Sequence, residues 1–145
     1  MPKRSAHTSW TGGLQDGSGV VTLTSSGVGT FDVSFPKRSA EDASGTTSPE
    51  ELIAGAHSAC YAMQLSALVA AGGGTPVSLD VDATVTLATD PAGGFRISNI
   101  ELVVRGSVEN MDEETFQRVA DAAKAQCPVS KALTGTTIGL DAAFR

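Results

Sequence analysis

The feature that most constrains the fold is a long apolar segment that opens with a helix-start signal. The run Ser48-Pro49-Glu50-Glu51 supplies an N-cap, a proline at the first helical position and an S-x-x-E capping box. Its two carboxylates also face the positive end of the helix dipole. The pattern predicts a helix that runs to about Ala71 and stops at Gly72-Gly73-Gly74. Because the segment is apolar over most of its circumference, we expect a central, buried helix.

The rest of the chain predicts strands and shorter helices. Three short strands precede the long helix, at Ala6–Thr11, Gly19–Ser25 and Val28–Phe35. The polar stretch 37–47 is rich in glycine and serine and indicates a loop. After the helix, two segments of alternating hydrophobicity predict a hairpin, Val77–Thr89 and Phe95–Val108. A second helix opens near Asp112, a break follows at Gln126-Cys127-Pro128, and a short helix to Leu133 precedes a last strand at Thr136–Phe144.

This order of elements predicts an α+β fold with segregated sheets, because strands and helices do not alternate as in doubly wound folds. At 145 residues the chain fits one domain, residues 1–145.

Composition and charge exclude several functional classes. The net charge is −6 and only 5% of residues are aromatic, which argues against a nucleic-acid surface. No stretch approaches the roughly 20 charge-free apolar residues that cross a bilayer, so we expect no membrane partner. The basic start, Met1 to Ser5, is followed by no apolar segment typical of a secretory signal. We therefore expect a cytoplasmic protein.

The two cysteines, Cys60 and Cys127, are the main chemical feature. Without an export signal they are not expected to form a structural disulfide. Two interpretations stay open from the residues alone, namely reactive thiols and buried thiols that pack as small hydrophobic groups. The cysteines and the two histidines lack the spacing of a metal site, so we expect neither a metal nor a cofactor. Local physics favours Cys127 as the more acidic thiol, because it precedes Pro128 at the start of a short helix.

Two motifs carry a family resemblance. Residues 48–60, from Ser48-Pro49-Glu50-Glu51 to His57-Ser58-Ala59-Cys60, resemble the central-helix signature of the OsmC/Ohr family of osmotically inducible and organic hydroperoxide resistance proteins. Gln126-Cys127-Pro128-Val129-Ser130 resembles its second signature, C-P-V-S. The order of elements also matches. The resemblance implies an OsmC-like fold in which two antiparallel sheets surround long central helices in an intertwined homodimer.

The resemblance also implies a function, that of an antioxidant, cysteine-based peroxidase that reduces organic hydroperoxides. Cys60 would attack the peroxide and become a sulfenic acid, and Cys127 would resolve it as a disulfide. An arginine anchored by Glu50 would stabilise the thiolate and orient the peroxide. We assign it to Arg38, as in the OsmC branch, with its neighbour Lys37 as the alternative. The implied reductant is a dithiol such as a lipoyl-bearing protein.

Helix geometry adds a condition of its own. Ten residues of helix between Glu50 and Cys60 correspond to about 15 Å of rise, and ten steps of about 100° place them on different faces. The two side chains cannot share a site within one straight helix. If they do share one, Glu50 comes from the second subunit, which requires a dimer.

Other interpretations remain beside the peroxidase. His57, one turn before Cys60, could tune the thiol or act as a general base, although such a histidine is more often a packed interior residue. A non-enzymatic dimeric module with inert thiols would bind an apolar ligand or partner. A glutaredoxin-like thiol exchanger is disfavoured, because its motif normally follows an early strand, whereas Cys127 follows a late helix.

Overall fold

Ten elements follow one another in the computed structural model, which describes residues 1–145. They are β1 (His7–Thr11), β2 (Ser18–Thr22), β3 (Thr30–Val33), α1 (Phe35–Arg38), α2 (Pro49–Ala71), β4 (Thr75–Thr89), β5 (Phe95–Glu109), α3 (Glu113–Gln126), α4 (Pro128–Ala132) and β6 (Thr137–Phe144). The chain divides into two units, Met1–Leu52 and Ile53–Arg145. The mixed α+β class predicted from the sequence is confirmed. The single domain remains a prediction.

The first unit is a three-stranded antiparallel sheet in the order β1-β2-β3, followed by α1 and the first turn of α2. The predicted loop over 37–47 is wrong at its start, because residues 35–38 form a short helix. Ser34 caps this helix by accepting a hydrogen bond from the Lys37 N–H, and Pro36 suits its first turn. Arg38 therefore lies in the last turn of a helix, where a cation is favoured by the helix dipole.

Helix α2 begins and ends where the sequence predicts. The Ser48 hydroxyl accepts a hydrogen bond from the Glu51 N–H at 3.2 Å. The Glu51 carboxylate does not return to Ser48 but accepts a hydrogen bond from the Thr47 hydroxyl. At the other end, Gly73 adopts a left-handed conformation with φ of 86°. This conformation is the one that glycine allows at a helix terminus.

Helix α2 corrects one expectation about membranes. With 23 residues and few charges it is, by length and composition only, long and apolar enough to cross a bilayer. The sequence-based statement that no segment approached this length was wrong, because the sparse charges of α2 lie at its very start. Core helices of folded proteins pass the same test, and one face of α2 is packed inside the second unit.

The second unit contains a three-stranded sheet in the order β4-β5-β6. The long β4 and β5 strands form the predicted antiparallel hairpin. Strand β6, however, runs parallel to β5. The expectation of two purely antiparallel sheets is therefore wrong for this sheet, because α3 and α4 form a crossover connection that returns the chain in the same direction.

The core of the second unit lies between this sheet and one face each of α2 and α3. The buried stripe of α2 contains Tyr61, Leu65 and Val69, spaced four residues apart. It packs with Leu102, Val104, Phe116, Ala120 and Ala123. The opposite face of α2 is also apolar but lies at the surface, where Met63 is 72% exposed. Within one chain α2 is thus buried along a stripe and not all round.

Candidate active site

The two thiols lie together in the second unit. Their Sγ atoms are 3.2 Å apart and both cysteines are free. Cys60 is in the middle of α2 and partly buried, whereas Cys127 is fully buried between α3 and α4. Pro128 explains the position of Cys127, because the residue before a proline is driven out of the helical conformation. Cys127 accordingly has φ of −55° and ψ of 123°, which ends α3 and begins α4.

The surroundings of Cys127 favour its thiolate. Burial by itself would raise the pKa of this thiol, yet its pKa lies below the ordinary value. The opposing cause is hydrogen bonding to the sulfur by the Ser130 N–H, the Cys60 thiol, the Ser130 hydroxyl and the Val129 N–H. The more acidic thiol of the pair is thus Cys127, as the start of the short helix predicts.

Cys60 is shifted in the opposite direction. Burial raises the pKa of the Cys60 thiol, and the adjacent Cys127 raises it further, while a hydrogen bond from the Val129 N–H lowers it. None of these causes supplies a positive charge. A cation beside the sulfur would oppose these effects and favour the thiolate.

Arg38 and Glu50 form a second group of predicted site residues, which lies in the first unit. The Arg38 Nη2 donates to Glu50 Oε1 at 2.7 Å, and its Nε lies 3.2 and 3.1 Å from the two carboxylate oxygens. Burial alone would raise the pKa of Glu50, but the guanidinium keeps it below the ordinary value. The hydrogen bond to Glu50 raises the pKa of Arg38. Because Thr47 occupies the Glu51 carboxylate, Glu50 is available to fix the arginine.

Arg38 lines an apolar cavity of about 400 Å³ within the first unit. Arg38 is its one charged lining residue. The apolar side chains that line it are Trp10, Leu14, Val21, Val33, Phe35, Pro49 and Leu52. A guanidinium beside apolar walls suits a ligand with a polar head and a hydrocarbon tail.

His57 and Ser130 add a polar contact beside the thiols. His57 is fully buried, and its Nε2 lies 2.8 Å from the Ser130 hydroxyl. The expectation of an interior histidine is met, but its partner was missed. The signal was present in the C-P-V-S motif, since a serine three residues after Cys127 is one helical turn away.

The predicted site residues therefore fall into two pairs. Cys60 meets Cys127 in the second unit, and Arg38 meets Glu50 in the first. The carboxylate of Glu50 pairs with Arg38 and not with Lys37, which was the alternative. The catalytic roles of all four remain predictions at this point.

Comparison with known proteins identifies the family. The family model described as OsmC-like protein matches residues 41–141. The chain is 40% identical over 131 residues to peroxiredoxin OsmC of Escherichia coli K12, covering 90% of this chain and 88% of that protein. It is 34% identical over 110 residues to the organic hydroperoxide resistance protein OhrB of Bacillus subtilis, covering 75% of this chain and 77% of that one.

Solved structures agree on the fold. The crystal structure of Bacillus subtilis OhrB superposes with a TM-score of 0.74 at 30% identity, covering 96% of this chain and 98% of that one. An organic hydroperoxide resistance protein from Elizabethkingia anophelis gives a TM-score of 0.77 at 25% identity, covering 100% and 98%. Sequence motifs, family model and fold thus point to one conclusion: this chain belongs to the OsmC family.

Proposed function

We propose that this protein is a thiol-dependent peroxidase that reduces organic hydroperoxides through a cycle of Cys60 and Cys127. The observation that carries the proposal is the 3.2 Å separation of two free thiols. The relatives named peroxiredoxin OsmC and organic hydroperoxide resistance protein support the same chemistry. The cycle needs a reductant for the disulfide, for which we propose a dithiol, such as a lipoyl-bearing protein, in the cytoplasm.

In the proposed cycle the Cys60 thiolate attacks the terminal oxygen of the hydroperoxide. The O–O bond breaks, and the alkoxide takes a proton and leaves as an alcohol. Cys60 is now a sulfenic acid. The Cys127 thiolate attacks this sulfur, an S–S bond forms, the S–O bond breaks, and hydroxide leaves to become water. A dithiol then reduces the disulfide by thiol exchange.

Arg38 has two proposed tasks in the first step. Its guanidinium supplies the positive charge that Cys60 lacks, and its fork of N–H donors binds the peroxide oxygens. Glu50 orients it and offsets its charge before substrate binds. The apolar cavity beside Arg38 would take the hydrocarbon part of the substrate, which favours organic hydroperoxides over hydrogen peroxide.

We further propose that the Arg38–Glu50 pair of one subunit acts on Cys60 of the other. Glu50 and Cys60 lie ten residues apart on α2, about 15 Å along the helix axis. The exposed apolar face of α2, with Met63 at its centre, is a surface that a second copy would cover. The implied assembly is a homodimer with shared sites.

Activity is tested by the consumption of tert-butyl hydroperoxide with a dithiol as the reductant. We expect wild-type turnover, none from Cys60→Ser, and a Cys60–Cys127 linkage by non-reducing mass mapping after one equivalent of peroxide. Wild-type turnover by Cys60→Ser would refute the proposal. If neither thiol reacts with an alkylating agent until the protein is denatured, the non-enzymatic module is the better interpretation.

The shared site is tested by complementation. Arg38→Ala and Cys60→Ser subunits are coexpressed with two different tags, the first being about 100-fold slower than wild type and the second inactive when expressed alone. In a mixed dimer with sites formed between subunits, one site recovers both Cys60 and Arg38. Random pairing then restores about a quarter of the wild-type rate. If each subunit uses its own arginine, no mixed dimer is faster than Arg38→Ala, and the shared site is wrong.

A further inference from the structure

A buried histidine, His57, lies one helical turn before Cys60 on α2. His57 and Ser130 are both buried, and the His57 Nε2 lies 2.8 Å from the Ser130 Oγ. Ser130 is the third residue of α4, whose N-cap is Cys127, and its N–H and hydroxyl are among the groups that lower the pKa of the Cys127 thiol. The contact between His57 and Ser130 therefore lies beside Cys127, which is itself part of the apolar core.

The direction of these hydrogen bonds follows from the unpaired atom of the imidazole. The His57 Nδ1 is buried and has no hydrogen-bond partner. An unpaired acceptor in the interior is less costly than an unpaired N–H, so the proton lies on Nε2. Burial lowers the pKa of His57, which keeps the ring neutral. The His57 Nε2–H therefore donates to the Ser130 oxygen.

The Ser130 hydroxyl can donate only one hydrogen bond. Because its oxygen accepts from His57, that hydrogen is free to point at the Cys127 sulfur. The imidazole then donates to the hydroxyl, and the hydroxyl donates to the sulfur. Hydrogen bonds in such a chain polarise each other and favour negative charge at the acceptor end. The acceptor here is the sulfur of Cys127.

We propose that His57 and Ser130 form a hydrogen-bond relay that holds Cys127 as a thiolate, which makes both of them positioning residues of the resolving step. The inference rests on the proposed function, in which Cys127 attacks the sulfenic acid of Cys60. His57 stays neutral and Ser130 keeps its proton throughout. In the reductive step the same donors stabilise Cys127 as the thiolate leaving group.

The effect on rate can be estimated. A rise in the pKa of Cys127 that leaves tenfold less thiolate also makes the remaining thiolate about threefold more nucleophilic. The lower thiolate fraction is therefore partly offset in the reaction rate. Loss of one hydrogen bond to a charged sulfur therefore slows the reactions of Cys127 by about three- to tenfold near neutral pH.

The first test uses no peroxide. In a Cys60→Ser background, the rate of Cys127 alkylation is measured across pH in the native protein. We expect Ser130→Ala and His57→Leu to move the midpoint to higher pH. Ser130→Thr keeps the hydroxyl and His57→Gln keeps a donor near the Nε2 position, so both should restore the profile. Ser58→Ala is the control, because the Ser58 hydroxyl bonds only its own helix, at the Gly55 carbonyl.

Few other titrating groups interact with Cys127 and could alter its pH profile. The groups that interact with Cys127 are Cys60, which is replaced in this background, and the phenol of Tyr61, whose own pKa is raised by burial and which stays protonated. A shift on Ser130→Ala therefore reports the relay. An unchanged midpoint in both Ser130→Ala and His57→Leu overturns the proposal. If His57→Leu does not fold, the Ser130→Ala and Ser130→Thr pair decides it.

The second test separates the two steps of the cycle in the protein with both cysteines. After rapid mixing with one equivalent of tert-butyl hydroperoxide, peroxide loss reports Cys60 oxidation, which consumes the first thiol, and loss of the second thiol reports disulfide formation. Ser130→Ala should slow disulfide formation by about three- to tenfold and change peroxide loss by less than about twofold. Equal slowing of both steps, or of neither, overturns the relay. Absence of peroxide loss in the wild type instead refutes the peroxidase and leaves the alkylation result standing.

Discussion

The Sγ atoms of Cys60 and Cys127 lie 3.2 Å apart although 67 residues separate them in the chain. One sulfur is in the middle of α2 and the other caps α4, so the contact depends on how these two helices pack in the second unit. A disulfide between them needs only a small local movement. The pair is also asymmetric, since the pKa of Cys127 is lowered and that of Cys60 is raised. Its chemistry therefore leads to specific predictions.

Replacing Cys127 with serine should separate oxidation from resolution. We expect Cys127→Ser to consume a first equivalent of organic hydroperoxide, because Cys60 remains. Turnover should then cease, and sulfenic and then sulfinic acid should accumulate on Cys60. Intact-protein mass spectrometry after stepwise peroxide addition checks this. Sustained wild-type turnover by this variant would show that another group resolves the sulfenic acid.

Loss of the guanidinium should slow the first step. We expect Arg38→Ala to reduce the rate of peroxide loss by about 100-fold, because a preorganised charged donor to the reacting atoms is removed. Arg38→Lys should be intermediate, since an ammonium keeps the charge but lacks the planar fork that pairs with Glu50. Single-turnover peroxide loss measures both. Lys37→Ala is the matched control, and an equal loss in it would move the role to Lys37.

The Arg38–Glu50 pair should also make stability depend on pH. The Arg38 guanidinium depresses the folded pKa of Glu50 below its ordinary value. Its contribution is therefore complete above that value and is lost as pH falls through the folded pKa. We expect Glu50→Gln to lower the free energy of unfolding by about 1–2 kcal/mol near neutral pH, because Arg38 loses its partner. This difference should shrink in acid.

Denaturant unfolding of Glu50→Gln at fixed protein concentration, near neutral pH and below about pH 4, measures this difference. Glu51→Gln is the control, because Glu51 accepts a hydrogen bond from Thr47 but forms no ion pair. A Glu50→Gln cost that is the same at both pH values would contradict the assignment of the stabilisation to the charge of Glu50.

A glycine in β5 should tolerate no side chain. A Cβ atom on Gly106 would lie 2.5 Å from the ring of Phe116, which is fully buried. We expect Gly106→Ala to destabilise the fold by about 1–3 kcal/mol through overpacking. Gly135→Ala is the matched control, because its Cβ would have no neighbour within 4 Å. Thermal unfolding of the two variants checks the contrast, and equal effects would mean that the ring moves aside without cost.

Much of the local structure is encoded in short runs of residues. The capping run Ser48-Pro49-Glu50-Glu51 and the glycines after Ala71 delimit α2 as predicted, because caps act within one turn. The hairpin of β4 and β5 follows from alternation and from the turn between them. The parallel pairing of β6 was not predictable in this way. It depends on where α3 and α4 return the chain, which is a long-range property.

The functional site shows the same division between features set by local sequence and features set by long-range packing. Short motifs identify the residues that have the chemistry, namely the two cysteines, an arginine and a glutamate, and the helix start predicts the acidity of Cys127. The packing of whole elements brings Cys60 to Cys127 and Glu50 to Arg38, which the family resemblance had implied, and it brings His57 to Ser130, which was not predicted. The difference arises from the distance along the chain over which each kind of interaction acts. Caps and turns depend on neighbours within a few residues, whereas contacts between distant side chains depend on how whole elements pack.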